Sequence, residues 1–468
     1  MERRELLKGV GLAVAGTAAL SAASSAAHAA GAGTATAAGT APSAPKSPYD
    51  GKMLVNRPRA HAVLEELKLD GLIALNTINV YYLTNTVPYP TFFRADIPGF
   101  ATFARDPSQP SFLVTNYSMD FANPGRELPE IITWSGVANW QDYIDATPAQ
   151  MKVPPKLGKG HDWPTHPGVK LTAREQAWHD VQAKYAASAV AAPAWALAKA
   201  LKQSGLTKGR IAIDDIRIAA MLQEIGMDQI TFVPGTEVFR KIRMVKSEPE
   251  LALQRIGGRN NYEAAMATAR AIQRGMTYED IQQLFRVEAA KRGNETMFFL
   301  AGTINGGFPG PTVPVGSSFA IDAVSHYKQY HGDFGRTVVL GEPSKDILAR
   351  EKAHNAGYDA IYSVLKAGMK LSEVQKIVLD AETKAGLSAD IVTCGAHSVG
   401  LEHGDNPRLM NSPYGPIEDI ALEENMVITV DMPYIEFGGN IGHHEDLVRI
   451  TKTGFETFGE HARALVVV

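Results

Sequence analysis

Cysteine is nearly absent: Cys394 is the single one in 468 residues. One thiol excludes an internal disulfide framework and a cysteine-rich zinc module, so any metal held here rests on carboxylates and imidazoles. A cationic surplus is also missing. Lys and Arg number 46 against 50 Asp and Glu, a formal net charge of -4, which offers a polyanion no electrostatic footprint; no nucleic-acid partner is expected. Long apolar runs are scarce as well. The stretch from Gly9 to Leu20 is short and alanine-rich, below the roughly 20 strongly apolar residues of a membrane span, so no stable membrane anchor is expected. Asp333-Phe334-Gly335 matches the kinase magnesium tripeptide, but no glycine-rich phosphate loop, strand lysine or catalytic-loop motif accompanies it, which excludes a kinase. What remains, 45% hydrophobic and 21% charged, is the composition of a globular protein long enough for two domains.

The first residues read as a targeting signal. Arg3-Arg4 precedes Glu5-Leu6-Leu7-Lys8, an apolar run follows, and Ala27-His28-Ala29 offers a small-x-small cleavage site. Residues 1–29 are therefore expected to be a twin-arginine signal peptide of a periplasmic or secreted protein. Residues 30–48, rich in Ala, Gly, Thr, Pro and Ser, read as a disordered linker. Residues 49–245 show an α/β alternation: a helical period over 57–67, a buried strand at 71–75, further apolar segments at 80–84 and 112–114, and a long Ala-rich helix over 174–201. The prolines between 147 and 170 mark a long irregular connection. A second domain, 246–468, opens at Lys246-Ser247-Glu248-Pro249-Glu250, where Ser247 caps a helix running to about Arg274 and Pro249 sits in its first turn.

An internal repeat organises the second domain. Gly275-Met276 begins one copy that ends at Gly293, and Gly368-Met369 begins another that ends at Gly386. Each copy follows a long helical segment and precedes strands. A period of 93 residues is too long for a solenoid and fits two related halves of one domain.

The candidate chemistry lies in the strands after each copy. Asp322 and Asp333 stand eleven apart, in two apolar strands that a hairpin can bring together across the ladder. Close carboxylates repel unless a proton or cation lies between them, and hard divalent cations take oxygen ligands. Two solvated turn acids fit the same pair. After the second copy, His397 and His403, Asp431 in Thr-Val-Asp-Met-Pro, and Glu445 in His-His-Glu-Asp each stand at the edge of an apolar strand. Asp322, Asp333, Asp431 and Glu445 with His397 make four carboxylates and a histidine, a set suited to two divalent ions roughly 3.5–4 Å apart.

The order Asp, Asp eleven later, His, an acid in a Thr-Val-acid-x-Pro strand, then Glu-Asp resembles metallopeptidase family M24, which includes Xaa-Pro aminopeptidases, prolidases, methionine aminopeptidases and creatinase. The starts Lys246-Ser247-Glu248-Pro249-Glu250 and Asp333-Phe334-Gly335-Arg336-Thr337 resemble it too. The resemblance implies an α/β creatinase-like N-terminal domain, an α+β pseudo-two-fold pita-bread catalytic domain, and a homodimer. It implies two divalent ions (Mn, Co, Zn or Fe). Asp322 would bind one, His397 and Asp431 the other, and Asp333 and Glu445 both. Glu445 would be the base for a metal-activated water, and His403 the histidine that handles a proton or the substrate. The implied function is an exported Xaa-Pro aminopeptidase or dipeptidase acting on short peptides. The alternative is a same-fold enzyme on a small molecule, a creatinase-like C–N hydrolase or a dimethylsulfoniopropionate lyase. There are four departures from the family. Asp431 stands where the family usually has Glu, the segment 301–311 lacks the histidine that peptidases carry before the first aspartate, Thr393 stands where prolidase-like members often have another histidine, and His443 stands where many members have arginine; the missing upstream histidine keeps the alternative open.

Overall fold

The computed structural model describes residues 51–88, 91, 93–95, 97–116, 126–159, 164–303, 307–408, 419–436, 438–459 and 465–468. The expected signal peptide and linker lie outside the described residues. Contacts group the described residues into two units, one comprising 51–53 with 64–236, the other 54–63 with 237–468. No helix among the described residues is long and apolar enough to cross a membrane.

The first unit is α/β. Its strands are β1 (Gly71–Ala74), β2 (Phe100–Ala104), β3 (Phe112–Thr115), β4 (Glu130–Ser135), β5 (Val190–Ala191), β6 (Gly209–Ile213) and β7 (Ile230–Pro234), in the sheet order β5-β4-β3-β2-β1-β6-β7. β1, β2 and β3 are buried at every position, so they read as continuous apolar runs rather than alternating ones. The same all-round burial hides a helix at Thr77–Thr84, whose start is set by Asn76 accepting from the Ile78 amide and whose end is Asn85 at φ 57°. The single Ala-rich helix expected over 174–201 is broken in two. Thr172 and Glu175 form a capping box for Ala173–Ala186, β5 intervenes, and Pro193 restarts a helix to Gln203 after Ala192 at φ 68°. A continuous helix would have placed a proline ring against its preceding turn.

The second unit is built on helices α1 (Glu248–Arg270), α2 (Tyr278–Lys291), α3 (Lys345–Tyr362) and α4 (Leu371–Lys384) and on strands β8 (Glu295–Gly302), β9 (Ser318–Tyr327), β10 (Tyr330–Val339), β11 (His397–Ser398), β12 (Asp405–Arg408), β13 (Val427–Tyr434), β14 (Gly442–Ile450), β15 (Phe455–Thr457) and β16 (Val466–Val467). The strands make one sheet in the order β12-β11-β13-β14-β10-β9-β8, with β15 on β14 and β16 on β10. The repeat is structural. Gly275 and Gly368 turn at φ 87° and 93°, and Gly293 and Gly386 close α2 and α4 at φ 85° and 114°, conformations that glycine adopts without steric penalty. One half contributes α1, α2 and β8–β10, the other α3, α4 and β11–β14, and β10 meets β14 at the seam. This is the pseudo-two-fold pita-bread arrangement. Ile321, Ala323, Phe334 and Val338 enter the apolar core of the first half, and Ile428, Val430, Met432 and Val448 that of the second. These positions alternate along their strands, so the intervening residues face the other way.

α1 begins as the sequence implies and ends at Arg270, one turn short of Arg274. Ser247 and Glu250 form its capping box, and Tyr330 donates a hydrogen bond to the buried Glu250 carboxylate. Burial pushes Glu250 up to about 7, with Lys246 opposing. An acid whose folded pKa exceeds its unfolded one weakens the fold as pH rises between the two values. Glu250→Gln keeps the cap acceptor and is expected to gain stability relative to the parent as pH rises from 4.5 to about 7, by on the order of 3 kcal/mol. Urea melts of both chains at the two pH values check this; a pH-independent difference contradicts it.

Candidate metal centre

Strand register assembles the site. Asp431 on β13 pairs with Glu445 on β14, Glu445 pairs with Gly335 on β10, and Gly335 pairs with Asp322 on β9. The three acids therefore lie in one row across the sheet seam, on one face. Asp333 is two residues before Gly335 on that face and is the diagonal neighbour of Asp322, because a two-residue turn at Lys328-Gln329 (φ 47° and 71°) sets the β9–β10 register. His397 pairs with Thr429, two residues before Asp431, and so joins the same face. All five expected ligands converge: one donor atom each from Asp322, Asp333 and Glu445 lie within 4.8 Å of one another, and so do those of His397, Asp431 and Glu445. His403 joins Asp333 and His397 in a third such group.

Asp333, Glu445 and His397 are buried, whereas Asp431 and His403 retain about a third of their side-chain exposure (29% and 33%). His403 Nε2 lies 3.2 Å from Asp333 Oδ2, and His397 Nε2 lies 3.9 Å from Asp333 Oδ2 and 3.8 Å from Glu445 Oε1. Thr429 donates to Glu445 Oε1 at 2.9 Å, which orients that carboxylate. The loop carrying His403 is clamped through its neighbour: Glu402 accepts from Arg240 at 2.9 Å and lies 3.0 Å from Arg243, whose guanidinium also pairs with fully buried Asp405. At the other end, Gly400 O accepts from the His331 amide at 3.0 Å. His331 and His326 thus sit at the hairpin end, and His331 is buried as a brace for this loop.

His443 is the site residue that sequence reading set aside as a departure. Its Nδ1 lies 3.1 Å from Ile321 O and its Nε2 2.8 Å from Asp431 Oδ1. Both partners accept, so the ring carries both protons. Burial disfavours that cation, but the Asp431 hydrogen bond and charge and the Asp322 charge outweigh it and raise His443 to about 9. The ring lies over Gly335, where a Cβ would stand 2.3 Å from it. Gly335 in the seam is what lets an imidazolium enter the row of acids. The available signal was a histidine two residues before Glu445, hence on the same strand face.

A divalent-metal centre fits this donor set. Asp322 Oδ1 and both Asp333 carboxylate oxygens are buried and accept no hydrogen bond of ordinary geometry. Burial, then the charge of Asp333, pushes Asp322 up to about 7, and burial with the charges of Asp333, Asp431 and Asp322 drives Glu445 well above its usual range. Burial raises Asp333 too, yet the flanking His403, His397 and His443 hold it below the ordinary value. Bare oxygens that repel one another around a common point answer to positive charge, and carboxylate with imidazole is the donor chemistry of Mn, Co, Zn and Fe.

The model of metallopeptidase family M24 matches residues 254–452, the segment that holds every residue named above from Asp322 to Glu445. The chain is 24% identical over 245 residues to a probable dipeptidase PepE of Mycobacterium tuberculosis, covering 50% of this chain and 64% of that relative. It is 27% identical over 237 residues to an Xaa-Pro dipeptidase of Lactobacillus delbrueckii subsp. lactis, covering 48% and 63%. The match thus spans less than two thirds of these relatives' lengths. An X-Pro aminopeptidase from Thermotoga maritima superposes with a TM-score of 0.62 at 17% identity, over 86% of this chain and 99% of the other, a likeness of fold. With the register, the donor set and these likenesses in agreement, it is the second unit, over residues 254–452, that resembles metallopeptidase family M24.

Proposed function

We propose that this chain is a metal-dependent peptidase that releases an amino acid from short peptides with proline after the scissile bond. The observation that carries the reading is the row Asp431–Glu445–Asp322, with Asp333 and His397 beside it, on one face of the sheet. Asp322, Asp333 and Glu445 would hold one ion, and His397 and Asp431 a second shared with Asp333 and Glu445. Bound ions supply Lewis-acid activation of water and of the scissile carbonyl. Glu445 accepts the proton from the attacking water at Oε2, since Oε1 is engaged by Thr429. His403, half-exposed and edge-on to Phe298 at 5.1 Å, donates a proton to the substrate side of the site. His443 keeps Asp431 in place, offsetting part of the reach lost with the shorter side chain.

The test is release of amino acid from an Xaa-Pro dipeptide by protein loaded with Mn, Co or Zn. Chelation is expected to abolish it and metal to restore it; full activity after stripping overturns the reading. His403→Ala is expected to lower kcat about 100-fold with metal content unchanged, read by steady-state kinetics beside elemental analysis. The Asp431–His443 pair, unlike the family's Glu with Arg, favours a second reading in which the substrate is a small C–N or sulfonium compound; a panel of those compounds run beside the peptides decides between them. Residues 1–29 fit twin-arginine export to the periplasm or beyond, and the family likeness fits a homodimer. Fractionation of an Arg3→Lys/Arg4→Lys chain, expected to stay in the cytoplasm, and sedimentation of the purified protein test these two.

A further inference from the structure

Behind β14, on the face opposite Glu445, a second group of ionisable side chains takes no part in the reaction described above. His444 comes from β14, adjacent to Glu445 and so pointing the other way. Glu351 and His354 come from α3 with i, i+3 spacing, which puts them on one helix face. Glu382 comes from α4. Exposure is 0% for His354 and His444, 1% for Glu382 and 6% for Glu351. One donor atom each from Glu351, His354 and His444 lie within 4.8 Å of one another, and Glu382 Oε1 stands 3.4 Å from His354 Nε2. The two imidazole rings meet edge to face with centroids 4.4 Å apart.

The hydrogen bonds leave this group incomplete. His444 Nε2 is 2.8 Å from Glu351 Oε1, and His354 Nε2 is 2.6 Å from the Met432 carbonyl. Both contacts use an N–H, so each Nδ1 is a bare lone pair in the neutral ring. Neither Nδ1 has a partner, nor has Glu351 Oε2 or Glu382 Oε1. The nearby Tyr358 hydroxyl donates to Asp446 instead, at 2.5 Å. Four nitrogen and oxygen atoms are therefore buried around two rings without a hydrogen-bond partner among the described residues, an arrangement that folding disfavours unless a proton or a cation joins them. Space has been made for it. A Cβ on Gly357 of α3 would stand 2.6 Å from Glu382 Cγ, so glycine there is what admits the carboxylate beside His354. Burial without compensating partners raises Glu382 to about 8 and drives His354 well below its usual value, the neutral form that ligates metals.

We propose that Glu351, His354 and His444, with Glu382 beside His354, form a second, closed metal site that takes one divalent ion of the zinc class. Two imidazoles and the Glu351 carboxylate supply three grouped ligands of the kind zinc accepts, Glu382 beside His354 is the carboxylate placed to complete the set, and the burial of all four side chains makes the site structural. The ion ties α3 and α4 to the strand that carries Glu445 and sets the position of that strand from behind.

Zinc alone is the probe. In crystals of the unaltered full chain grown with zinc, an anomalous difference map at the zinc edge is expected to show a peak among these four side chains, apart from any at Asp333; no peak there overturns the proposal. In solution, an Asp322→Asn/Asp333→Asn chain, altered only at the front face, is expected to retain one zinc per chain after desalting, and cobalt in its place to give the intense visible bands of a tetrahedral site. Adding His354→Gln is expected to remove that ion. If the front-face variant folds, by circular dichroism, and holds none, or the His354→Gln chain folds and keeps it, the site does not exist.

Discussion

An Asp333→Asn chain is expected to fold and to hydrolyse an Xaa-Pro dipeptide at least a thousand-fold more slowly than the parent, a loss of about 4 kcal/mol in transition-state stabilisation. The substitution is nearly isosteric in a position only 3% exposed, so packing is preserved. It replaces one carboxylate oxygen by an amide, at a residue whose two oxygens both lack hydrogen-bond partners and which three histidines hold ionised. In the proposed reading this residue serves both ions, so metal content falls with activity. Stability follows the same sign. With chelator present, Asp333→Asn relieves some repulsion of Asp322 and Glu445 but loses the pairing with His403, His397 and His443 that holds Asp333 below its ordinary value, so the metal-free variant is expected to melt below the metal-free parent at neutral pH. Kinetics, elemental analysis and thermal melts in chelator check the three parts. Undiminished activity and metal content would remove Asp333 from the centre.

The second large effect lies on the back of the same strands. Arg336, 1% exposed, donates to both oxygens of Asp446 at 2.8 and 3.0 Å, and to Gly335 O at 2.7 Å and Glu445 O at 3.0 Å. It stitches β10 to β14 at the seam between the two halves and lies 4.3 Å over the Phe334 ring. Arg336→Met is expected to destabilise the second unit by about 3–5 kcal/mol, because Asp446 is left ionised and buried without its guanidinium partner. Arg336→Met with Asp446→Leu removes both charges and is expected to recover most of the loss, short by the Tyr358–Asp446 hydrogen bond it removes. Urea denaturation of the single and double variants reads this. A loss under about 1 kcal/mol in the single variant contradicts the role assigned to the pair.

The ligand types were legible because few residues suit hard cations and because strand alternation makes an acid conspicuous in an apolar run. Asp322, Asp333, His397, Asp431 and Glu445 all stood out in this way, and the two Gly-Met turns exposed the two-fold plan. Helix starts were equally local: Ser247 announces a capping box within four residues. The long Ala-rich helix misled for a local reason of its own, since alanine favours helix on either side of Pro193 and composition does not mark the break.

The amino-acid sequence by itself determined which side chains could hold a cation, on which strands, and with what periodicity, because these depend on residue type and spacing within one segment. Tertiary structure alone decided that Asp431, Glu445 and Asp322 share one row, that Gly335 opens the row to His443, and that His444 meets Glu351, His354 and Glu382 on the other side. Those meetings depend on cross-strand register and helix docking between segments up to 123 residues apart in the chain, from Asp322 to Glu445. Period-two patterning says which face a residue takes but not which partner it meets.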